Sequence, residues 1–233
     1  MKVIINEKTI LDQLVSKKII DLVKSKPNAN LGLATGSTPL GVYQNLVNDY
    51  QSNNTDYSQV KTFNLDEYLN LPLDHQQSYH TYMNKQLFDH LNINLENTHF
   101  PLENNYLNYP TLLKENPLDL QLLGIGSNGH IGFNEPGTAF NSTTNIVKLA
   151  SETRNDNARF FSKLSDVPTE AISMGLKDIM MAKEIILMAN GKNKAAAIYQ
   201  LVKGLKSEEW PATILQDHPN VTLYLDFDAA SLL

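Results

Sequence analysis

The 233-residue chain contains no cysteine. Disulfides, thiolate metal sites and cysteine nucleophiles are therefore excluded. Arginine is scarce: Arg154 and Arg159 are the two in the chain, and both lie in one short stretch. Charged residues amount to 19%, too few for a charge-driven disordered chain. The balance of 25 acidic against 19 basic residues gives a formal charge of −6. That argues against a general nucleic-acid binder and leaves a local basic pocket open. No run approaches the roughly 18 consecutive apolar residues of a membrane span, and no basic-then-apolar leader opens the chain. Neither a membrane segment nor a secretory leader is expected, and the cytoplasm is the expected location. No repeat, low-complexity tract or composition shift marks a linker, so residues 1–233 are expected to form one domain.

What remains is a chain that is 42% hydrophobic, enough for a sizeable core. Its pattern alternates strand and helix. Lys2–Ile5 is a short apolar run, Asn30–Ala34, Val60–Leu65 and Leu118–Ile125 read as strands, and Asn145–Leu149, Ala171–Met174, Glu184–Ala189 and Val221–Leu225 are further strand candidates. Helical periods run through Ile10, Leu14, Ile19 or Ile20 and Val23, over about Leu40–Tyr50, over Ser78–Leu91 and roughly over Lys192–Val202. Such alternation predicts an α/β fold built of βαβ units around a mainly parallel sheet. Ligands of such sheets sit outside the carboxyl ends of the strands. The segments after Ala34, Leu65, Ile125 and Ala189 are thus where chemistry is expected.

Four of those segments carry suitable residues. Thr35-Gly36-Ser37-Thr38-Pro39 joins a strand to a helix. It is either a phosphate cradle, with free N–H groups and hydroxyls, or an ordinary capped turn. No Lys follows as a Walker A loop would need. In Phe63-Asn64-Leu65-Asp66-Glu67-Tyr68, two acids follow a strand. A desolvated carboxylate there suits proton abstraction, and a helix or turn cap is the competing use. Gly124–Gly137 holds five of the eleven glycines, a density that packing does not require. His130 sits in its middle and Glu135 five residues on, an arrangement that suits an imidazole oriented for proton shuttling, with a structural His bonding the loop backbone as the competing use. Gly124, Gly126 and Gly129 match a dinucleotide-binding spacing, but Pro136-Gly137 argues against the helix that fingerprint needs. Arg159 suits bidentate phosphate binding. Lys194 opens a helix after a strand and could meet a phosphate, with Lys192 as an adjacent competitor. His75, His80, His90 and His99 show no metal-ligand spacing, and His218 and Trp210 read as structural.

The set LGLATGSTPLGVY, TFNLDEY, GIGSNGHIGFNEPG, TRNDNARFF, GKNKA and LQDHP, in this order, closely resembles the glucosamine-6-phosphate deaminase family over nearly the whole chain. The resemblance implies an α/β fold, a three-layer sandwich around a mainly parallel, Rossmann-like sheet, and an enzyme that turns D-glucosamine 6-phosphate and water into D-fructose 6-phosphate and ammonia, without metal or organic cofactor. It implies Asp66 as the base that moves a proton from C2 to C1. His130 would open the ring, supported by Glu135 and Asn128. The phosphate would be held by Gly36, Ser37 and Thr38 with Arg159 and Lys194, Arg159 lying in the family's mobile lid.

Two departures from the family pattern bear on these expectations. Many longer members have Asp where this chain has Asn128, and an amide orients a histidine without adding charge. Regulated hexameric members have Arg and Lys at the positions of Asn145 and Val147, together with a longer C-terminal tail. The expectation is therefore a monomer or small homo-oligomer acting on a small sugar phosphate, without activation by N-acetylglucosamine 6-phosphate. The nearest rival is a 6-phosphogluconolactonase, which shares a Gly-His pair but is disfavoured by Phe133–Pro136 and by Asp66-Glu67. An idle sugar-phosphate sensor is the other, though no residues are spare for a DNA-binding helix-turn-helix.

Overall fold

The computed structural model describes residues 1–158, 161 and 163–233. Among these the strands, in chain order, are β1 (Lys2–Ile5), β2 (Asn30–Leu33), β3 (Lys61–Asn64), β4 (Asp66–Tyr68), β5 (Thr98–His99), β6 (Leu120–Leu123), β7 (Asn145–Lys148), β8 (Glu170–Ser173), β9 (Ile185–Ala189) and β10 (Val221–Leu225). The α-helices are α1 (Lys8–Ser25), α2 (Leu40–Asn53), α3 (Tyr79–Gln86), α4 (Tyr109–Glu115), α5 (Ser151–Ala158), α6 (Leu176–Ile179) and α7 (Ala195–Lys203). Seven strands form one sheet in the order β1-β10-β9-β6-β2-β3-β5, and each neighbouring pair is parallel. A second sheet, β4-β8-β7, is antiparallel.

The layers follow from the two-residue period of a strand. On β9, Ile185, Leu187 and Ala189 pack into a core with α4, α6 and α7. The intervening Ile186 and Met188 pack into a separate core with α1, α2 and α3. All five are buried, as a parallel sheet covered on both faces requires. Fully burying an Ile, Leu or Met side chain stabilises by roughly 1.5–3 kcal/mol, so this strand is fixed by both faces together. These two cores establish the α/β sandwich expected from the resemblance.

Some local expectations change. The buried stripe of α1 runs through Leu11, Val15, Ile19 and Val23, whereas Ile10 and Leu14 are 38% and 40% exposed. Both stripes are apolar at helical spacing, so only docking on the sheet selects between them. The Ser78–Leu91 helix ends at Gln86 and passes through Leu87 into a single 3₁₀ turn, Phe88–His90. Lys192–Lys194 is likewise 3₁₀, and the α-helical part begins at Ala195. The candidates at 145–149 and 171–174 are strands, but they lie in the antiparallel sheet rather than the main one. A short strand at Asp66–Tyr68 was not foreseen.

The topology brings the chemically interesting loops side by side. Strands β9, β6, β2 and β3 are consecutive in the sheet, so the segments that follow them emerge along one edge. The helix after β2 joins one core, and α6 and α7, between β6 and β10, join the other. The chain thus diverges to opposite faces between β2 and β6, the crevice where open α/β sheets place ligands.

Close packing of the antiparallel sheet depends on Gly175, the residue before α6. A Cβ there would lie 2.3 Å from the Ser142 carbonyl oxygen, and backbone cannot give way as a side chain can. Gly175→Ala is expected to cost about 1–3 kcal/mol, read as a lowered urea midpoint with an unchanged m-value.

Candidate active site

A cavity of about 480 Å³ opens at this edge. Its walls include Thr35–Thr38 after β2, Leu65 and Asp66 after β3, Gly124–Ser127 and His130 after β6, and Lys194 after β9. Three loops and the start of α7 therefore meet around one space.

The first loop turns at Gly36, where φ is +90°, a left-handed conformation that glycine adopts without strain. No side chain caps the N-terminus of α2, so its first N–H groups remain available to an anion. Two phenols fix the loop from behind. Tyr43 on α2 donates to the Ala34 carbonyl at 2.5 Å, and Tyr82 on α3 donates to the Gly36 carbonyl at 2.5 Å. Neither role could be read from spacing, because both tyrosines also satisfy a helical apolar stripe.

The two adjacent acids separate as strand neighbours must. Asp66 pairs in register with Ser173 of β8 and faces the cavity, with 7% of its surface exposed. Burial, followed by the charge of Glu67, pushes its carboxyl up from 3.8 to about 8. Glu67 turns instead to α3 and accepts from the backbone N–H groups of Tyr79 and His80 at 3.0 and 2.8 Å. Glu67 thus takes the capping role, while Asp66 is left facing the cavity.

The glycine loop is shaped around an imidazole. A Cβ on Gly126 would lie 2.3 Å from both Cε1 and Nδ1 of His130, so the ring occupies the space a side chain would need. Gly132, at φ +58°, lies against Asp66: a Cβ there would be 3.5 Å from its Oδ2. His130 Nδ1 is 3.4 Å from Glu135 Oε2, within ion-pair reach but longer than a well-aligned hydrogen bond. Glu135 Oε2 also accepts from Asn128 Nδ2 at 2.8 Å, and Oε1 from the Thr153 hydroxyl. Burial raises the Glu135 carboxyl, but its contacts with His130, Thr153 and Asn128 outweigh that and hold it at about 2. Asn128 Oδ1 accepts from the His130 backbone N–H at 3.2 Å. The amide thus acts on Glu135 and on the loop backbone.

Asp66, His130, Gly36, Ser37, Thr38 and Lys194 all line the cavity, while Asn128 and Glu135 stand behind the imidazole. Lys192 is exposed and off the wall, which separates the two lysine candidates. Arg159 lies outside the described residues. Sequence reasoning missed Thr153, which lines the cavity from α5 and also holds Glu135, and Lys85 on α3. Among the described residues no group of three or more His, Asp or Glu is placed to hold a metal ion. The other histidines have packing roles: His80 lies against Phe100, His99 against Phe63, and His218 Nε2 contacts the Ala182 carbonyl at 2.8 Å.

A parallel α/β sheet with an acid, an imidazole and an anion-type loop at its carboxyl edge defines a class of small-molecule enzyme folds. Residues 8–224 match the family model described as glucosamine-6-phosphate isomerases/6-phosphogluconolactonase, and the chain belongs to this family. A glucosamine-6-phosphate deaminase of Clostridium novyi (strain NT) is 53% identical over 230 residues, covering 96% of this chain and 95% of its own. One from Bacillus cereus (strain B4264) is 53% identical over 222 residues, covering 93% of this chain and 82% of its own. The solved structure of a monomeric glucosamine-6-phosphate deaminase superposes with a TM-score of 0.97 at 42% identity, over 100% of both chains. A 6-phosphogluconolactonase from Trypanosoma brucei gives 0.79 at 17% identity over 100% of this chain and 98% of its own, and shares the fold.

The raised carboxyl of Asp66 has a consequence for stability. Between about pH 4 and 8 the folded state holds a proton that the unfolded state has lost. Stability therefore falls as pH rises through that window, and the cost is complete above it. Asp66→Asn is expected to be more stable than the parent at pH 9, by on the order of a few kcal/mol, with the difference vanishing near pH 4. Thermal melts across this range measure it.

Proposed function

We propose that the chain converts D-glucosamine 6-phosphate and water into D-fructose 6-phosphate and ammonia. The observation that carries this is the single cavity whose wall holds Asp66, His130, the Gly36–Thr38 loop and Lys194. The 53% identity to glucosamine-6-phosphate deaminases over most of the chain supports it.

The geometry suits the chemistry in order. The substrate's phosphate seats on the Gly36–Thr38 loop at the open N-terminus of α2, with Lys194 as a counter-charge. This remote anchoring holds the sugar over the two reacting groups. His130 moves a proton between the ring oxygen and the C1 hydroxyl, opening the ring to an aldehyde. Glu135, ionised throughout, orients the imidazole and balances its charge. The aldehyde acidifies C2, and Asp66 takes that proton. The enolamine accepts it back at C1, leaving an imine at C2. Water adds to the imine carbon, and ammonia leaves as the ketone forms. No redox change occurs, and one water is consumed for each ammonia released.

Asp66 must be ionised to act as a base, although burial and the charge of Glu67 favour the protonated acid. The C2 substituent of the substrate is an ammonium ion, and its approach favours the carboxylate. Binding would thus help switch the base on. We further place the enzyme in the cytoplasm, as one domain acting as a monomer or small homo-oligomer. The monomeric structural relative, 42% identical over the whole chain, supports the monomer. Arg159, in the segment after α5, would complete the phosphate site.

Ammonia release from glucosamine 6-phosphate, assayed beside hydrolysis of 6-phosphogluconolactone, is the test: turnover of the lactone alone would overturn the reading. Asp66→Asn is expected to bind substrate and lose at least about 10³-fold in kcat. For the parent, kcat/KM should rise with pH up to about 8, and the acid limb of kcat should lie lower, because kcat reports the complex. Lys194→Ala should raise KM about tenfold or more with a smaller change in kcat.

A further inference from the structure

We infer that Glu67 is a positioning residue for this reaction: its carboxylate clamps the N-terminus of α3 to the strand that bears Asp66, so that the base and one cavity wall are held as a single piece. The inference rests on the deaminase reading for its kinetic consequences and on geometry for the clamp itself.

The hydrogen-bond accounting at the helix start is complete. An α-helix leaves its first N–H groups without internal partners. Here the Ser78 N–H donates to the His75 carbonyl at 3.0 Å, and the Thr81 N–H to Ser78 Oγ at 3.0 Å. The two between them, Tyr79 and His80, donate to Glu67 Oε1 at 3.0 Å and Oε2 at 2.8 Å. Oε1 also accepts the Tyr68 N–H at 2.8 Å. Both oxygens act as acceptors, as in an ionised carboxylate; Glu67 is 1% exposed, and burial pushes its carboxyl up while the three N–H donors oppose that shift. A residue twelve positions before the first residue of α3 thus supplies half of its cap.

What α3 carries makes the clamp consequential. Tyr79, Tyr82, Lys85 and Gln86 line the cavity, and Tyr82 pins the Gly36 carbonyl. Through Glu67 the anion loop, the α3 wall and the base are linked in a chain of direct contacts. The same carboxylate stands beside Asp66 in sequence and raises it by charge. The other ionisable groups facing this acid pair are phenols: Tyr68 on β4, Tyr79 on α3 and Tyr109 on α4, with Tyr79 and Tyr109 held well above 10 chiefly by burial. His130 shares the cavity. From β8 the paired residues Ser173, Ile172 and Ala171 bring no charge. Glu67 is thus the nearby anion whose removal Asp66 would feel.

Glu67→Gln and Glu67→Asp separate the two effects. Gln removes the charge and offers one acceptor oxygen in place of two. Asp keeps the charge but falls one methylene short of α3. Amide hydrogen exchange and NMR titration of the Asp66 carboxyl are measured beside the pH dependence of kcat/KM. In both variants exchange at Tyr79 and His80 should quicken about tenfold or more, while helices α1 and α7 keep their protection, and KM should rise more than kcat falls. In Glu67→Gln the Asp66 titration and the acid limb should move down by about one pH unit. In Glu67→Asp they should stay in place. Unchanged exchange at the two amides, a uniform increase in every helix, or an unmoved Asp66 titration in Glu67→Gln would each overturn the inference. The exchange and titration readouts need no turnover, so a parent that releases no ammonia defeats the proposed function and leaves the clamp decided on its own.

Discussion

Asp66 is almost wholly removed from water, has another acid as its chain neighbour, and sits beside the glycine loop rather than beside a cation. Desolvation of a carboxylate is among the larger penalties a fold can carry, and here it is imposed where a substrate is expected to react. The surroundings are arranged to keep that acid buried and unneutralised. Ser173 and Gly132 press against its side of β4, and Glu67 points its own carboxylate away, into the N–H groups of α3. Glu67 is compensated by hydrogen bonds, whereas among the described residues none reaches the Asp66 carboxyl. That difference distinguishes a structural carboxylate from one available for proton transfer.

The second pair of ionisable groups shows the opposite design. Glu135 is also largely buried, yet Asn128, Thr153 and His130 surround it and keep it ionised. It does not reach the cavity wall, so its effect passes through the imidazole. Two carboxylates of one site are thus pushed in opposite directions by their environments, the pattern that divides acid and base labour in enzymes working near neutrality. Thr153 adds a physical link: it joins Glu135 to α5, the helix that leads toward Arg159. The family membership and the 53% identical deaminases agree with a site of this composition.

Glycine placement explains how so many groups share so little space. Gly126 is needed because His130 fills the position of its missing side chain, and Gly36 because the anion loop reverses through a left-handed residue. Each removes a Cβ where backbone and functional group approach closely.

Much was legible in the chain before any coordinates. Alternating apolar runs announced the α/β fold, because a strand buried on both faces cannot be written any other way. Glycine density and the residue types at 66, 130 and 135 marked the loops, since burying an acid beside an imidazole is costly enough to require local devices. Pairwise spacing could not reach further. It could not choose between the Leu11 and Ile10 stripes of α1, between Lys192 and Lys194, or between the roles of Asp66 and Glu67, because each pair is chemically alike and adjacent. Those choices were made by the sheet order, which sets β9, β6, β2 and β3 side by side, and by strand alternation, which turns neighbouring side chains to opposite faces. Contacts such as Tyr82 with Gly36, Thr153 with Glu135 and Glu67 with α3 join residues from separate elements, and only the packing of those elements brings them within hydrogen-bond reach.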